Sequence, residues 1–458
     1  MLFLILTRDN IQSLIPIEYI CRTPHKGRKY FVLFVRLAKK LLSLQSILHI
    51  EWAFNTVKQL KTCSKEKIWI MENTQSFFDD IRAYRDEEIP AVVEKIASDP
   101  LLIPAAQFVF PNLDIDQVRN LISSCRTTDD IQRKVMYPAI GGIIHRTMRK
   151  FTTEGCEHLS NDNSWLFVSN HRDITLDAML MQYALCDNDL PTTDISLGDN
   201  LLRTPLVFEL CKANYMIKVI RKDDVTMREF LENSKHLSEY IRHRINEAHR
   251  SVWIAQRNGR TKDGNDMTEP GIIKMFGLSG SNDFVENFSQ LHIAPVAISY
   301  QYEPCDVFKA VELCRRRNGA PYQKAENEDF LSILTGIKAY KGDANLAFCE
   351  PITTAELEGV AELPRAEQTK ALAEIIDHRI ISNYKLYDTN YIAYDIKHGT
   401  RRFAKYYSTV AEQQFDIYLV RSNAQFEVMG VDKDVAREIL LGIYANPVEA
   451  KLNLGIEL

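Results

Sequence analysis

The sequence predicts an α/β fold: a mixed, largely parallel sheet flanked by helices, with helical N-terminal and C-terminal segments. Three observations predict it. Short apolar runs bounded by turn residues recur through residues 151–352. Between them lie longer stretches with apolar residues at helical spacing. Residues 71–150 and 353–458 carry the helical pattern without the strand runs. Strands that alternate with helices build a sheet covered on both faces, which is why such strands read as unbroken apolar runs. With 458 residues the chain has room for two or three cores.

Residues 1–70 stand apart. They hold 12 Lys and Arg against 4 Asp and Glu, whereas the whole chain has a formal net charge of -5, so the remainder is acidic. The stretch 29–49 is basic and amphipathic. It reads either as an interfacial helix on anionic lipid or as an extension outside the mature protein, because ordinary globular character starts at Met71. The first residues are apolar, but Arg8 and Asp9 interrupt them, and the basic start and small-residue cleavage site of a signal peptide are missing. No window reaches the roughly 18 uncharged apolar residues of a spanning helix.

Residues 71–150 read as helices. Asp99-Pro100 and Phe110-Pro111-Asn112 break them, and Asn112-Leu113-Asp114 leads into another. The expected strands of the α/β part, 151–352, are 165–169, 194–197, 215–220, 251–255, 292–299 and 345–349. The clearest helix between them is 226–248, where Met227, Phe230, Leu231, Leu237, Ile241 and Ile245 recur near helical spacing. Residues 353–458 read as mostly helical, with breaks at Pro364 and Asn446-Pro447. The nine cysteines are scattered without C-x-x-C spacing, which fits free thiols in a reducing cytosol.

Chemistry concentrates where strands end. In an open α/β sheet, ligands bind outside the carboxyl ends of the strands. The strand 165–169 delivers Asn170 and His171 there, followed by Asp173 and Asp177. Imidazole suits proton transfer near neutrality, and a carboxylate beside it fixes the tautomer and stabilises the imidazolium. Both Asp173 and Asp177 are within reach. Each also has a structural reading, Asp173 as a helix cap and Asp177 as an acid at the positive end of a helix. A second strand ends in Arg221. A third is followed by Arg257, Gly259, Arg260, Thr261, Lys262 and Gly264. Glycines let backbone amides approach an anion, and arginine forks match phosphate oxygens. A fourth strand contains Ala294-Pro295-Val296.

In that order these four blocks resemble the glycerolipid acyltransferase superfamily, which includes lysophosphatidate and glycerol-3-phosphate acyltransferases. Asn170-His171…Asp177 looks like its first block and 198–221 like the second, with Leu201, Pro205 and Leu206 also fitting. Residues 254–261 look like the third block and Ala294-Pro295-Val296 like the fourth; 341–352 is similar to the strand that often follows. The resemblance spans roughly residues 150–355. There are two departures. The family has four residues between its His and Asp, here there are five, and Leu176 takes the expected place. The apolar run after Asp177 favours that residue over Asp173. The family's third-block Glu is replaced by Arg257 or Asn258, which leaves the acceptor open.

The resemblance implies acyl transfer from a thioester to a hydroxyl. His171 is the general base and Asp177 its partner. Asn170, Asp173, Arg221, Gly259, Arg260, Thr261 and Lys262 form the substrate site, and no metal or cofactor is needed. The implied partners are acyl-CoA or acyl-carrier protein, a glycerol-3-phosphate, lysophospholipid or lyso-aminolipid acceptor, and the inner face of the membrane, met peripherally from the cytoplasm.

Three rival classes have less support. A non-catalytic lipid-binding protein would explain the shifted Asp and missing Glu. A serine hydrolase would use Ser279, but GLSGS, 277–281, lacks the G-x-S-x-G elbow. Against nucleic-acid binding stand the acidic character of the chain beyond residue 70 and basic clusters that lack interleaved aromatics.

Overall fold

The computed structural model describes residues 77–458, apart from 161, 203, 222–224, 318–321 and 326. The basic segment 1–70 lies outside the described residues. Residues 80–458 form one compact unit.

Helices come first: α1 (Ile89–Ser98), α2 (Leu102–Val109), α3 (Ile115–Ser123) and α4 (Tyr137–Thr147). Asp114 caps α3 with Gln117 in a capping box, which satisfies two backbone amides at that end. Helix α4 runs directly into β1 (Met148–Glu154), a strand the sequence does not announce. It is an edge strand, and Arg149 and Lys150 on it are exposed. Charge is how sheet edges avoid further pairing, and it hides the apolar run that marks a strand.

The remaining strands are β2 (Leu166–Ser169), β3 (Asp194–Gly198), β4 (Met216–Val219), β5 (Val252–Ala255), β6 (Ile293–Tyr300) and β7 (Gly342–Phe348). They form one seven-stranded sheet in the order β1-β7-β6-β2-β5-β3-β4. Pairing is parallel throughout except between β6 and β7. The fold is therefore α/β with a mixed, largely parallel sheet, and the carboxyl ends of β6, β2, β5, β3 and β4 share one edge. β2 and β6 are buried at every position. Pro295 is tolerated in β6 because the β7 ladder begins only at Val296; at 295 the carbonyl alone is used, by Cys349 N–H.

Helix α5 (Leu176–Asp187) packs Leu176, Ala178, Leu180, Met181, Ala184 and Leu185 on a sheet face carrying Phe167, Ile195, Trp253, Val296 and Phe348. Burying each large apolar side chain there is worth about 1.5–3 kcal/mol. Next come α6 (Pro205–Ala213) and α7 (Met227–Arg242), which the Thr226–Glu229 capping box opens. The helical path then continues in a π-turn, His243–Glu247. The others are α8 (Pro270–Phe276), α9 (Phe284–Ser289), α10 (Asp306–Arg317), α11 (Glu328–Lys338), α12 (Thr354–Ala361), α13 (Arg365–Asn383), α14 (Asp388–His398), α15 (Thr409–Val428) and α16 (Lys433–Asn453).

Pro364 does precede a helix, α13, but Asn446-Pro447 is not a break: Pro447 lies inside α16. Proline has no N–H for the carbonyl four residues back, here that of Ile443. That carbonyl abuts Gly264, where a Cβ would stand 2.3 Å from it. Asn446 Nδ2 donates to Asp263 O at 2.7 Å. The helix interruption thus serves as a contact with the loop after β5. Helices α10, α14, α15 and α16 share a second core around Phe415, Phe426, Leu440 and Tyr444. Among the described residues, no helix is long and apolar enough to cross a membrane.

Candidate active site

At the carboxyl end of β2 the chain leaves the sheet, forms the loop 170–175 and enters α5 at Leu176. His171 Nδ1 lies 2.9 Å from Asp177 Oδ2 in the first turn of that helix. The same oxygen accepts the backbone N–H of Arg172 at 2.6 Å and of Asp173 at 2.8 Å. The additional residue of spacing is thus absorbed by a loop whose amides wrap the carboxylate. Asp177 Oδ1 accepts Tyr300 Oη at 2.9 Å from the end of β6. Asp177 is fully buried, whereas the His171 side chain keeps 14% of its exposure. One imidazole nitrogen is held by a carboxylate, which leaves Nε2 for any further partner.

Asp173 points elsewhere. Its Oδ1 accepts the N–H groups of Thr175 and Leu176 at 3.0 and 2.9 Å, a turn that launches α5. Its Oδ2 is buried without a hydrogen-bond partner. It lies against Gly336 of α11, where a Cβ would stand 2.2 Å away.

Asn170 pins β2 to β6: it accepts Ile298 N–H at 2.8 Å and donates to Ile298 O at 2.9 Å. Its Nδ2 also reaches Asp266 Oδ2 at 3.0 Å. Arg172 donates to Asp266 Oδ2 from Nε at 2.9 Å and Nη2 at 2.6 Å, and to Glu303 from Nη1 at 3.2 Å. Lys309 Nζ closes the network on Arg172 O at 2.6 Å and Glu303 Oε1 at 2.5 Å. Burial works against the Arg172 charge, but Asp266 and Glu303 outweigh it and hold the guanidinium protonated. Burial likewise pushes the Asp266 carboxyl up, and Arg172 with Thr261, Tyr384 and further hydrogen bonds from Arg172 brings it below the ordinary range.

The loop after β5 comes to the same edge. Thr261 N–H donates to His171 O at 2.7 Å, and Thr261 Oγ1 to Asp266 Oδ1 at 2.6 Å. Gly259 (φ +76) and Gly264 (φ +82) adopt the left-handed conformation that glycine allows without strain. Arg260 follows Gly259 directly; its Nη1, like Nε of Arg257, is buried without a hydrogen-bond partner. Lys262 is differently engaged. Its Nζ is tied to Glu312 of α10, which also pairs with Arg316.

Arg221 follows β4, with its side chain against Gly198. Arg221 and Arg260 act on the same carboxylate, Asp329 of α11. Burial pushes that group up, but the Lys324 hydrogen bond and the charges of Lys324, Arg260 and Arg221 hold it below the usual carboxylate range. Asn200 Nδ2 also reaches Asp329, at 3.4 Å. Residues Asp266, Tyr300, Glu303, Lys309, Asp329 and Tyr384 are therefore parts of the site that no local sequence pattern marks. Ser279 pairs with Ser238 Oγ at 2.8 Å in a turn held by Arg242 and Asn287. Among the described residues, no group of three or more His, Cys, Asp or Glu is placed to hold a metal ion.

Comparison with known proteins adds one family. Residues 150–299, which run from β1 to β6 and contain the loops just described, match the family model Acyltransferase. Among solved structures, the 1-acyl-sn-glycerophosphate (LPA) acyltransferase PlsC from Thermotoga maritima is similar at 12% identity and a TM-score of 0.32, covering 64% of this chain and 94% of that one. No curated protein matches.

Proposed function

We propose, from the premise that residues 150–299 form an acyltransferase domain, that the protein moves a fatty acyl group from a thioester to the hydroxyl of a glycerol-phosphate or lysophospholipid-type acceptor. The observation that carries this reading is the His171–Asp177 pair at 2.9 Å, with the carboxylate fully buried and hydrogen-bonded through both oxygens.

The reaction needs no covalent enzyme intermediate. Nε2 of His171 takes the acceptor's hydroxyl proton as the oxygen attacks the thioester carbonyl carbon. The C–S bond then breaks, and the proton passes from the imidazolium to the departing thiolate. Asp177 keeps Nδ1 protonated and stabilises the imidazolium while it exists. Arg260 and Arg221 hold the anionic headgroup and so fix the hydroxyl beside the base, an orientation effect worth several orders of magnitude in rate. Asp329, beside both arginines, limits the net positive charge of that subsite. The donor is acyl-CoA or acyl-carrier protein, and the lipid product calls for peripheral contact with a membrane surface.

The test is direct. Purified protein and His171→Ala are incubated with labelled palmitoyl-CoA or palmitoyl-carrier protein and with glycerol-3-phosphate, lysophosphatidate or lyso-aminolipids. A labelled lipid made by the parent and absent from the variant supports the reading and names the acceptor. Lipid bound without turnover by the parent, across all pairs, sinks it in favour of a binding protein.

A further inference from the structure

The two residues that flank His171 in the chain are both held by one carboxylate oxygen. Asn170 Nδ2 reaches Asp266 Oδ2 at 3.0 Å, and Arg172 reaches it twice, at 2.9 and 2.6 Å. The other oxygen of Asp266 takes Thr261 Oγ1, whose own N–H is bonded to His171 O. Asp266 thus braces His171 from both neighbours and from the adjacent loop without touching the imidazole. It is fully buried and comes from the loop between β5 and α8.

A fourth donor comes from far along the chain. Tyr384, just past α13, gives its hydroxyl to Asp266 Oδ2. Its ring also faces the Arg172 guanidinium, 5.6 Å from Cζ to the ring centroid. The neighbouring Lys385 N–H donates to Ser299 Oγ at 3.0 Å, which fixes that segment along the end of β6.

Arg172 matters for the dyad because its own N–H is bonded to Asp177 Oδ2. A shift of the Arg172 side chain moves its peptide, and with it the carboxylate that orients His171. The geometry points to Asp266 and Tyr384 as positioning residues for the His171–Asp177 pair, so that the helical segment after β7 is a working part of the site. This inference rests on the acyl-transfer reading above.

The test uses the full chain and two variants, Tyr384→Phe and Asp266→Asn. Tyr384→Phe keeps the ring against Arg172 and removes only the hydroxyl. Two readouts are taken: kcat and KM for acyl transfer, and the low-field proton resonance of His171 Nδ1–H, assigned by its absence in His171→Ala. The expected result is a fall in kcat of roughly tenfold with KM within about twofold, as for small misalignments of a reacting pair. The resonance should shift or broaden, and the thermal midpoint should stay close to the parent's.

Parental kcat together with an unmoved resonance in Tyr384→Phe overturns the inference. So does a kcat loss with the resonance unmoved, which is a general structural effect. Should Asp266→Asn fail to fold, leaving Arg172 underbalanced, Tyr384→Phe decides alone. If the parent transfers no acyl group to any acceptor, the acyl-transfer reading fails. The resonance in Tyr384→Phe still decides whether the hydroxyl positions the dyad.

Discussion

Replacing Asp177 by Asn removes one charge and almost no volume from a fully buried position. In the resting site the change is mild, because an amide oxygen still accepts from His171 Nδ1, Arg172 N–H and Asp173 N–H, the three donors that now converge on Oδ2. In the transition state it is severe, because the imidazolium no longer faces an anion. With the ring and carboxylate charges about 4 Å apart and an effective dielectric of about 20, their attraction is about 4 kcal/mol. At about 1.4 kcal/mol per tenfold in rate this is close to three orders of magnitude. With the amide oxygen in the Oδ2 position, its N–H₂ takes the Oδ1 position and meets Tyr300 Oη, which must turn to accept from it. We therefore expect kcat to fall by about two to three orders of magnitude with KM little changed. The assay is transfer of labelled acyl chain at saturating donor and acceptor, with circular dichroism to confirm the fold. A kcat within about threefold of the parent's would refute the claim that the Asp177 charge stabilises the imidazolium.

Arg260→Ala should raise KM for an anionic acceptor by about tenfold or more, since a charge-assisted hydrogen bond is worth about 1.5–3 kcal/mol; an unchanged KM across the acceptor panel removes Arg260 from the subsite. Gly264→Ala combines a left-handed backbone (φ +82) with a Cβ 2.3 Å from Ile443 O, so we expect a loss of about 1–3 kcal/mol in urea unfolding. Asp377 gives a pH prediction. Burial pushes its carboxyl up to about 6, although Thr268 donates to it twice. A native pKa above the unfolded one gives stability that is full below the unfolded value near 4 and is lost as pH rises through about 6. Because both Thr268 bonds end on one oxygen, Asp377→Asn can keep them. It should be more stable than the parent by about 1–3 kcal/mol at pH 8 and lose that advantage near pH 4, as read by thermal unfolding at the two pH values.

What the sequence makes legible follows from range. β2 through β7 are visible because a buried parallel strand is an unbroken apolar run, and each lies within three residues of its expected ends. The edge strand β1 is invisible because its charges mask that run. Proline misleads at 447, where it interrupts one hydrogen bond but not the path of α16. Histidine 171 and its carboxylate are readable because loop and helix start lie six residues apart. Arg221, Arg260 and Thr261 are readable because they follow strands that end on one edge. Lys262 has the right spacing for an anion, yet its ammonium is drawn to Glu312, a residue 50 positions on. Tyr300, Asp266, Glu303 and Tyr384 carry no local signal, since the bonds that tie them to Arg172, to Asp177 and to one another span 94 to 131 residues. Such pairings become visible only when the sheet has brought its strand ends together.

The buried charges behind the dyad then pose an energetic question. Arg172, Asp266, Glu303 and Lys309 are each at most 7% exposed. Removing four ions from water costs several kcal/mol per ion, and apolar residues of the same volume would often be as stable. Stability is therefore a poor reason for this network. Geometry is a better one. An apolar plug packs in many nearly equivalent ways, whereas a guanidinium forked between two carboxylates has one arrangement. Here the forked residue also carries, on its own main chain, the N–H bonded to Asp177 and the carbonyl bonded to Lys309. The network converts the directional bonds of four side chains into a fixed main-chain position at Arg172, on both sides of its Cα, and that position sets the dyad. Replacing the network with well-packed apolar residues should accordingly spare the fold and degrade the chemistry, the opposite of what truncating a core residue such as Phe167 would do.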